Sequence, residues 1–387
     1  MKKKHMAGIL ALLLVTNIIT AFASVQLATG SVKEVAQTKV LEHFLKKYYL
    51  RSDKITEKDF IEGRKKGTVA ALKDPYSQYF DENEYKQFME STTGEFFGIG
   101  VQIGAVEGSK LITVIAPIKG SPAEAAGLKS GDKIVSVDGV EYTVDEMDEA
   151  VKHIKGDKGT TVTLGIMSEG DGRVRDVKIT RDEIHMESVI TGSIGDIAYI
   201  GLTQFEENTV DEFTKALKAA GNKKGLILDL RGNPGGILEA AVGISDQLLP
   251  EADIVSAKDN RDKEVFHYTS DEESWNKPIV VLVNGGSASA SEIVAGALKD
   301  NKAATLVGEK TYGKGVVQTL VPLPGGGGIK LTTSEYFTPS GVSIQDKGIE
   351  PDVKVTLPED VKAIGLEHRD QDTQLQKAIA IIEKSGR

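Results

Sequence analysis

The sequence predicts a multidomain α/β protein in which helical terminal regions flank a β-rich module and a larger α/β core. The core is predicted from apolar strand-like runs that alternate with helices over residues 196–307, a pattern typical of a parallel sheet covered on both faces. Short β-branched runs between tight turns over residues 94–180 predict the β-rich module. Helical spacing of apolar residues over 32–72 and 373–383 predicts the helical regions at the two ends.

The first 30 residues are typical of an export segment. Three lysines at positions 2–4 precede an apolar run from Met6 to Val15, and Ala21-Phe22-Ala23 fits a small-residue cleavage site. The same residues could instead form an uncleaved membrane anchor of about 20 residues, or a buried N-terminal helix. The lysines favour membrane targeting, so we expect an extracytoplasmic protein that is secreted, periplasmic or held at the cell envelope.

Residues 31–90 are predicted to form a helical N-terminal region. Its first helix is expected within 32–50, and its second, within Thr56–Leu72, opens with a capping box in which Thr56 pairs with Asp59. The β-rich module is expected to span 91–185, with strands at Leu111–Ile115, Lys133–Val137, Thr161–Ile166 and Arg175–Thr180.

The core is expected to span 186–358, followed by a C-terminal helical segment over 359–387. A helix over Thr209–Ala220 is predicted to begin with a capping box of Thr209 and Glu212. The other predicted elements of the core are strands at 196–202, 225–230, 278–283, 304–307 and 329–344 and helices at 234–249 and 291–298.

Composition excludes several classes of function. The 387 residues include no cysteine, which excludes disulfides, thiol catalysis and cysteine-ligated zinc. The six histidines form no HExxH pattern, so a zinc hydrolase is not expected. A formal net charge of −10 argues against a nucleic-acid partner, which needs a basic face. No metal or cofactor is predicted.

Two predicted strand-to-helix turns could carry chemistry. The segment 229–236 is rich in Gly and Pro, and its N–H groups could bind an oxyanion, although a plain tight turn is the simpler interpretation. The segment 284–292 places Ser289 at a helix start, beside unpaired N–H groups. The simpler interpretation there is an ordinary capping box of Ser289 and Glu292.

A third segment, 308–315, nearly matches a phosphate-binding loop. Gly315 stands where that loop has its magnesium-binding hydroxyl, and a strand rather than a helix is expected to follow, so a nucleotide site is rejected. Lys314 could be a solvated surface lysine. Its flanking glycines and the apolar run that follows would equally allow it to lie in a crowded cleft.

Together the three segments suggest a hydrolytic site in which a lysine replaces histidine as the general base of a serine. Such a lysine must be neutral. At the ordinary pKa of about 10.4, only about one lysine in 2,500 is neutral at pH 7. Desolvation could lower the pKa toward about 7–8, so the site must be enclosed.

The chain resembles the carboxyl-terminal processing, or tail-specific, proteases that carry a PDZ domain. The resemblance covers roughly residues 35–385 and depends on the order of many short motifs. These motifs are Asp74-Pro75-Tyr76-Ser77, Phe97-Gly98-Ile99-Gly100-Val101, Gly120-Ser121-Pro122-Ala123 with Ala126-Gly127-Leu128, Gly131-Asp132-Lys133-Ile134, Leu228-Asp229-Leu230-Arg231 with Asn233-Pro234-Gly235-Gly236, Ser287–Glu292, Gly308-Glu309 with Thr311-Tyr312-Gly313-Lys314-Gly315-Val316-Val317-Gln318, Lys330-Leu331-Thr332-Thr333 and Tyr336-Phe337-Thr338-Pro339-Ser340-Gly341.

The resemblance implies roles for particular residues. Ser289 would be the nucleophile, Lys314 the base and Gln318 the residue that orients the lysine, while the N–H groups of Gly235 and Ala290 would bind the oxyanion. In the PDZ segment, the loop that binds a substrate's C-terminal carboxylate would consist of Phe97, Gly98, Ile99, Gly100 and Val101. The resemblance also implies a crotonase-like protease core, a PDZ domain inserted before it, PDZ-controlled access to the site, and a homodimer formed through the terminal helices.

The leading hypothesis is therefore an exported Ser/Lys endopeptidase acting on proteins or peptides with apolar C-termini. A second hypothesis is a PDZ-type binding or chaperone module with a catalytically silent core. A third is a crotonase-like enzyme acting on acyl thioesters. The presence of Ser289, Lys314 and Gln318 favours the first over the second, and the PDZ-like insert and export segment disfavour the third.

Overall fold

The computed structural model describes residues 32–385, except 94, 95, 107, 169–171, 185–187, 273, 359, 360 and 362. The predicted export segment lies outside these residues. The chain divides into two compact units, Met1–Asp81 and Glu82–Arg387. Within the described part of the chain, no helix has both the length and the apolar character needed to cross a membrane.

The first unit contains helix α1 (Val32–Tyr48), helix α2 (Glu57–Ala70) and the short strand β1 (Gln78–Phe80). The predicted capping box at the start of α2 is confirmed. The Thr56 N–H donates to Asp59 Oδ2 at 2.7 Å, and the Asp59 N–H donates to Thr56 Oγ1 at 3.3 Å.

The second unit begins with helix α3 (Glu82–Thr93) and the β-rich module. Strands β3, β4, β5, β7 and β8 form an antiparallel sheet in that order, β6 pairs with β5, and β2 pairs with β9. The elements are β2 (Phe96–Gly98), β3 (Val101–Gly104), β4 (Ile112–Pro117), α4 (Pro122–Ala125), β5 (Lys133–Val137), β6 (Val140–Glu141), α5 (Met147–Ile154), β7 (Thr161–Met167), β8 (Val174–Thr180) and β9 (Asp182–Ile184). The module has an apolar core of its own, which includes Ile112, Ile134 and Leu164.

The α/β core is built on a six-stranded sheet of order β10-β11-β12-β15-β16-β19. Strand β10 is antiparallel to β11, and the other neighbours are parallel. Its elements are β10 (Val189–Ile194), β11 (Ile197–Leu202), α6 (Thr209–Ala219), β12 (Gly225–Asp229), α7 (Leu238–Leu248), β15 (Ile279–Val283), α8 (Ala290–Asp300), β16 (Ala304–Gly308), β19 (Val353–Lys354) and α9 (Thr373–Ser385).

Both faces of this sheet are buried, as the continuous apolar runs predict. In β12, Leu226 and Leu228 belong to the larger apolar cluster with helices α6, α7 and α8. Ile227 points to the other face, into a cluster that includes Leu375 and Ala378 of α9. The sheet therefore lies between two helical layers, and its parallel strands β12 and β15 end at the same edge.

A second sheet contains β13 (Asp253–Asp259), β14 (Glu264–Thr269), β17 (Val316–Pro322) and β18 (Gly328–Phe337). All pairings among these four strands are antiparallel. The hairpin of β13 and β14 is absent from the sequence prediction. The strand predicted after Gly315 is confirmed as β17.

Two predictions for the helices of the core are wrong. The helix predicted from Pro234 begins only at Leu238, because the preceding residues form an extended turn. The capping box predicted for Thr209 and Glu212 does not form, because Glu212 Oε2 instead accepts hydrogen bonds from the N–H and hydroxyl of Ser188, at 3.1 and 3.0 Å.

Candidate active site

Ser289 occupies a strained turn between β15 and α8. Its backbone angles are φ 53° and ψ −113°, whereas an ordinary N-cap residue is extended. A non-glycine residue with positive φ is uncommon, and such strained residues concentrate at functional sites. Ser289 therefore begins α8 in a capping box with Glu292, but with backbone angles that an ordinary helix cap does not have.

Glu292 connects this turn to the segment that carries Lys314. The carboxylate is fully buried, and its Oε2 accepts hydrogen bonds from the Ser289 and Lys314 N–H groups, each at 2.9 Å. Its Oε1 accepts from the Thr311 hydroxyl at 2.6 Å and the Gly313 N–H at 2.8 Å. The sequence predicted only the capping bond to Ser289. Nothing in the local sequence indicates the bonds to the distant loop.

Tyr336 of β18 provides a second connection between the same two segments. This side chain is buried, and its hydroxyl lies 2.5 Å from the Lys314 carbonyl oxygen and 3.2 Å from the Ser289 carbonyl oxygen. The backbones of the predicted nucleophile and the predicted base are thus held by one carboxylate and one phenol.

Steric contacts explain why the residues on either side of Lys314 are glycines. A Cβ on Gly313 would lie 2.9 Å from the Gly348 nitrogen, and one on Gly315 would lie 2.6 Å from the Gln345 nitrogen. The Gln345 side-chain oxygen also accepts from the Gly315 N–H at 2.8 Å. Close packing against the segment 345–348 therefore fixes the path of the chain at Lys314.

The Gly-rich turn after β12 lies directly against the Ser289 turn. A Cβ on Gly235, where φ is 106°, would lie 2.8 Å from Ser289 Cβ and 2.9 Å from the Ala290 nitrogen. The Asn233 carbonyl oxygen accepts from the Ala288 N–H at 3.1 Å and the Ser291 hydroxyl at 2.9 Å. The two turns predicted to carry chemistry are therefore in contact at their strand ends.

The predicted oxyanion donors differ in their hydrogen bonding. The Gly235 N–H donates to the Asn233 side-chain oxygen at 2.9 Å. The Ala290 N–H, at the first position of α8, has no acceptor among the described residues, and neither has the Gly236 N–H. Gly236 was not predicted as a donor, yet it lines the cavity described next.

A cavity of about 520 Å³ opens at Ser289. Four predicted site residues line it: Ser289, Ala290, Lys314 and Gln318. Gln318 donates its amide to the Val316 carbonyl oxygen at 3.2 Å. The remaining walls of this Ser289 cavity are largely apolar, with two further charged side chains, and comprise Phe88, Gln204, Phe205, Pro234, Gly236, Ile237, Leu238, Glu239, Ile293, Val316, Val317, Lys330 and Tyr336.

The β-rich module has a separate groove of about 230 Å³ between β3 and α5, here termed the module groove. All five residues of the predicted carboxylate loop line it: Phe97, Gly98, Ile99, Gly100 and Val101. The loop is held by Ser121, whose hydroxyl donates to the Gly100 carbonyl oxygen at 2.9 Å. The other walls are mainly apolar and comprise Gln102, Ile103, Ile118, Val151, Ile154, Lys155 and Ile184. No group of acidic or histidine side chains suited to a metal ion occurs in the described part of the chain.

Comparison with known proteins places the chain in a family. Residues 196–355 match peptidase family S41, and residues 86–167 match the PDZ domain. The chain is 42% identical over 310 residues to the carboxy-terminal-processing protease of Bartonella bacilliformis, covering 78% of this chain and 71% of that protein. It is 39% identical over 340 residues to the carboxy-terminal processing protease CtpA of Bacillus subtilis, covering 87% and 72%. The chain belongs to peptidase family S41.

Solved structures agree with this assignment. The S41 chain matches the photosystem II D1 C-terminal processing protease at 29% identity and a TM-score of 0.50, over 88% of this chain and 94% of that one. A putative S41 protease from Bacteroides fragilis, 17% identical with a TM-score of 0.51, shares the fold. The predicted family of carboxyl-terminal processing proteases and the predicted PDZ domain are therefore confirmed.

Proposed function

We propose that this S41 protease is an exported serine endopeptidase that holds the apolar C-terminal tails of its substrates in the module groove and cleaves peptide bonds at Ser289. One observation carries the proposal. The strained Ser289 shares a cavity with Lys314, and the buried Glu292 holds the backbones of both residues. Strain at a serine whose backbone is tied to a lysine segment indicates nucleophilic catalysis better than helix capping.

The proposed reaction proceeds through an acyl-enzyme. Neutral Lys314 takes the proton of the Ser289 hydroxyl as the oxygen attacks the substrate carbonyl carbon. The resulting ammonium then protonates the leaving amine, and Lys314 next activates a water that hydrolyses the ester. Gln318, on the same cavity, orients the lysine. Enclosure of the cavity by the substrate favours the neutral lysine that the reaction needs.

The oxyanion would be stabilised by the Ala290 N–H and a second N–H from the Gly-rich turn. Gly235 serves as the second donor once its bond to the Asn233 side chain is exchanged for one to the substrate oxygen. The contact between Gly235 and the Ser289 turn supports this assignment.

The larger arrangement is also part of the proposal. We assign the module over 91–185 and a crotonase-like core over 186–358, which the mainly parallel sheet between two helical layers supports. Export through residues 1–30, with release or retention at the membrane, is inferred from the sequence. A homodimer would form through α1, whose side chains Val40, Leu41, Phe44 and Tyr48 are more than half exposed.

The test uses an unstructured protein with an apolar C-terminal tail, incubated with the wild type and with Ser289→Ala, Lys314→Arg and the surface control Lys302→Arg. We expect cleavage by the wild type and the control only, because a guanidinium cannot be deprotonated in a protein. Mass spectrometry should find an acyl adduct on Ser289, and a chelator should change nothing. Cleavage by Ser289→Ala would disprove the serine mechanism, and tail binding without cleavage by the wild type would favour the silent binding module.

A further inference from the structure

The side chain of Arg231 is buried at the start of the Gly-rich turn, and every one of its donors has an acceptor. A guanidinium has five N–H donors. Nε and Nη2 bind the two oxygens of Asp229 at 2.9 and 2.6 Å. Nη1 and Nη2 bind the two oxygens of Asp372 at 2.9 and 2.8 Å, and Nη1 also binds the Gln374 side-chain oxygen at 2.9 Å. Three of these five bonds are thus accepted by the C-terminal segment.

Asp372 is fully buried and accepts hydrogen bonds from backbone N–H groups of its own C-terminal segment. Besides the two bonds from Arg231, its carboxylate accepts from the Gly365 N–H at 2.8 Å and the Leu375 N–H at 2.9 Å. Burial alone would raise the pKa of this carboxyl, but the bonds from Arg231 and Gly365 outweigh burial and lower it. Asp372 therefore faces Arg231 as a carboxylate.

The cluster around Arg231 contains more charged and polar groups than close packing of a protein interior requires. Two carboxylates surround one guanidinium, and the Tyr199 hydroxyl donates to Asp229 at 2.8 Å. Burying charges is costly, and well-packed apolar residues are often as stabilising as a buried ion pair. Such a cluster is a weak source of stability, whereas bidentate bonds on two sides define the orientation of Arg231 closely.

The position of Arg231 bears on the catalytic turn. Its N–H also donates to Asp229 Oδ1 at 3.0 Å, so backbone and side chain are fixed together. Gly232, Gly235 and Gly236 follow, and they have no side chains with which to anchor themselves. Within the turn, Asn233 is the other buried polar anchor.

We propose that Asp372 and Gln374 are positioning residues for catalysis: through Arg231, the C-terminal segment fixes the turn that presents its N–H groups to the oxyanion beside Ser289. The inference rests on the proposed function. It assigns a part in the reaction to residues outside the segment 196–355 that matches family S41. Small displacements of such donors have large effects on rate, because a misplacement near 1 Å can cost about 10²-fold.

The test compares full-length Asp372→Asn and Gln374→Ala with the matched control Ile382→Ala. Ile382 is a buried residue of α9 that offers Arg231 no acceptor, so its truncation loosens the helix without changing the guanidinium's partners. For each variant we would measure kcat, KM and thermal unfolding. We would also measure the inhibition constant of a peptide aldehyde, which forms a tetrahedral adduct with an active-site serine.

For Asp372→Asn we expect kcat to fall at least tenfold with KM within about twofold, and aldehyde affinity to fall by a similar factor to kcat. Ile382→Ala should lower the unfolding temperature while the folded protein keeps its kcat within about twofold. The inference would be overturned if Ile382→Ala lost as much kcat as Asp372→Asn, or if Asp372→Asn kept the wild-type kcat. If Asp372→Asn does not fold, Gln374→Ala decides, because it keeps both carboxylates and should still lower kcat at unchanged KM.

Ser289→Ala measured alongside separates this inference from the proposed function. Cleavage by Ser289→Ala would overturn the serine mechanism and the inference with it. An inactive Ser289→Ala beside a fully active Asp372→Asn would overturn only the positioning role.

Discussion

At the scale of single residues, one buried carboxylate with four hydrogen-bond donors connects the two segments of the candidate site. Glu292 uses its two oxygens for donors from the Ser289 turn and from the segment Thr311–Lys314. The sequence predicts Glu292 as a cap because that bond is local, three residues from Ser289. The other bonds bridge about twenty residues and exist only because the two segments meet in the fold.

Glu292→Gln tests this role. In either orientation the side-chain NH₂ would face donors now bound to a carboxylate oxygen, leaving buried N–H or hydroxyl groups unsatisfied. We expect the free energy of unfolding to fall by about 1–3 kcal/mol, and kcat/KM to fall by about 10²-fold as the Ser289 and Lys314 segments separate. Chemical unfolding and peptide hydrolysis measure the two effects.

The matched control is Glu264→Gln on β14, an exposed glutamate far along the second sheet. It should change neither quantity measurably, since exposed ion pairs contribute little. A Glu292→Gln variant with wild-type kcat/KM would show that Glu292 only caps α8.

At the scale of elements, the sequence predicts what burial dictates. Strands such as β12 and β15 are buried on both faces, so their apolar runs locate them to within two residues. The hairpin of β13 and β14 was missed because four of the six residues of β14 are exposed and its apolar pattern is weak. The start of α7 was misplaced because the conformation of Gly235 and Gly236 is set by contacts with distant segments.

Some glycines are required by close contacts with distant segments and others are not, and Gly315→Ala tests this distinction. The new Cβ would lie 2.6 Å from the Gln345 backbone nitrogen, so the chain at Lys314 must shift. We expect kcat for peptide hydrolysis to fall at least tenfold. Gly67→Ala in α2 is the control, because a Cβ there meets nothing within 4 Å. It should raise stability by about 0.5–1 kcal/mol and leave kcat unchanged. Unchanged kcat in Gly315→Ala would contradict a fixed lysine segment.

At the scale of the second unit, Glu82–Arg387, residues that are close together in the sequence line two separate cavities. Phe88 of α3 lines the Ser289 cavity, and Phe97 lines the module groove a few residues later. The sequence predicts both sites through family resemblance. A single motif is weaker evidence than the order of many motifs, because each motif taken alone also fits an ordinary turn. What the sequence does not provide is the side-chain shape of either cavity, because many distant residues form the walls.

The proposed division of labour predicts that the module groove governs tail-bearing substrates selectively. Val151→Asp places a charge on the largely apolar wall of the groove, where an apolar tail would have to desolvate it. We expect KM for a protein with an apolar tail to rise at least tenfold. A short peptide that contains the cleavage site without the tail should be cleaved at the basal wild-type rate.

Val140→Asp is the matched control, because Val140 is an exposed residue of β6 in the same module and does not line the groove. It should leave both substrates unaffected, which separates a charge in the groove from a charge on the module. Equal KM values for the tail-bearing protein in Val151→Asp and the wild type would contradict tail binding in this groove. If a folded Val151→Asp variant cleaved neither the tail-bearing protein nor the short peptide, the groove would instead influence the Ser289 cavity even when no tail is bound.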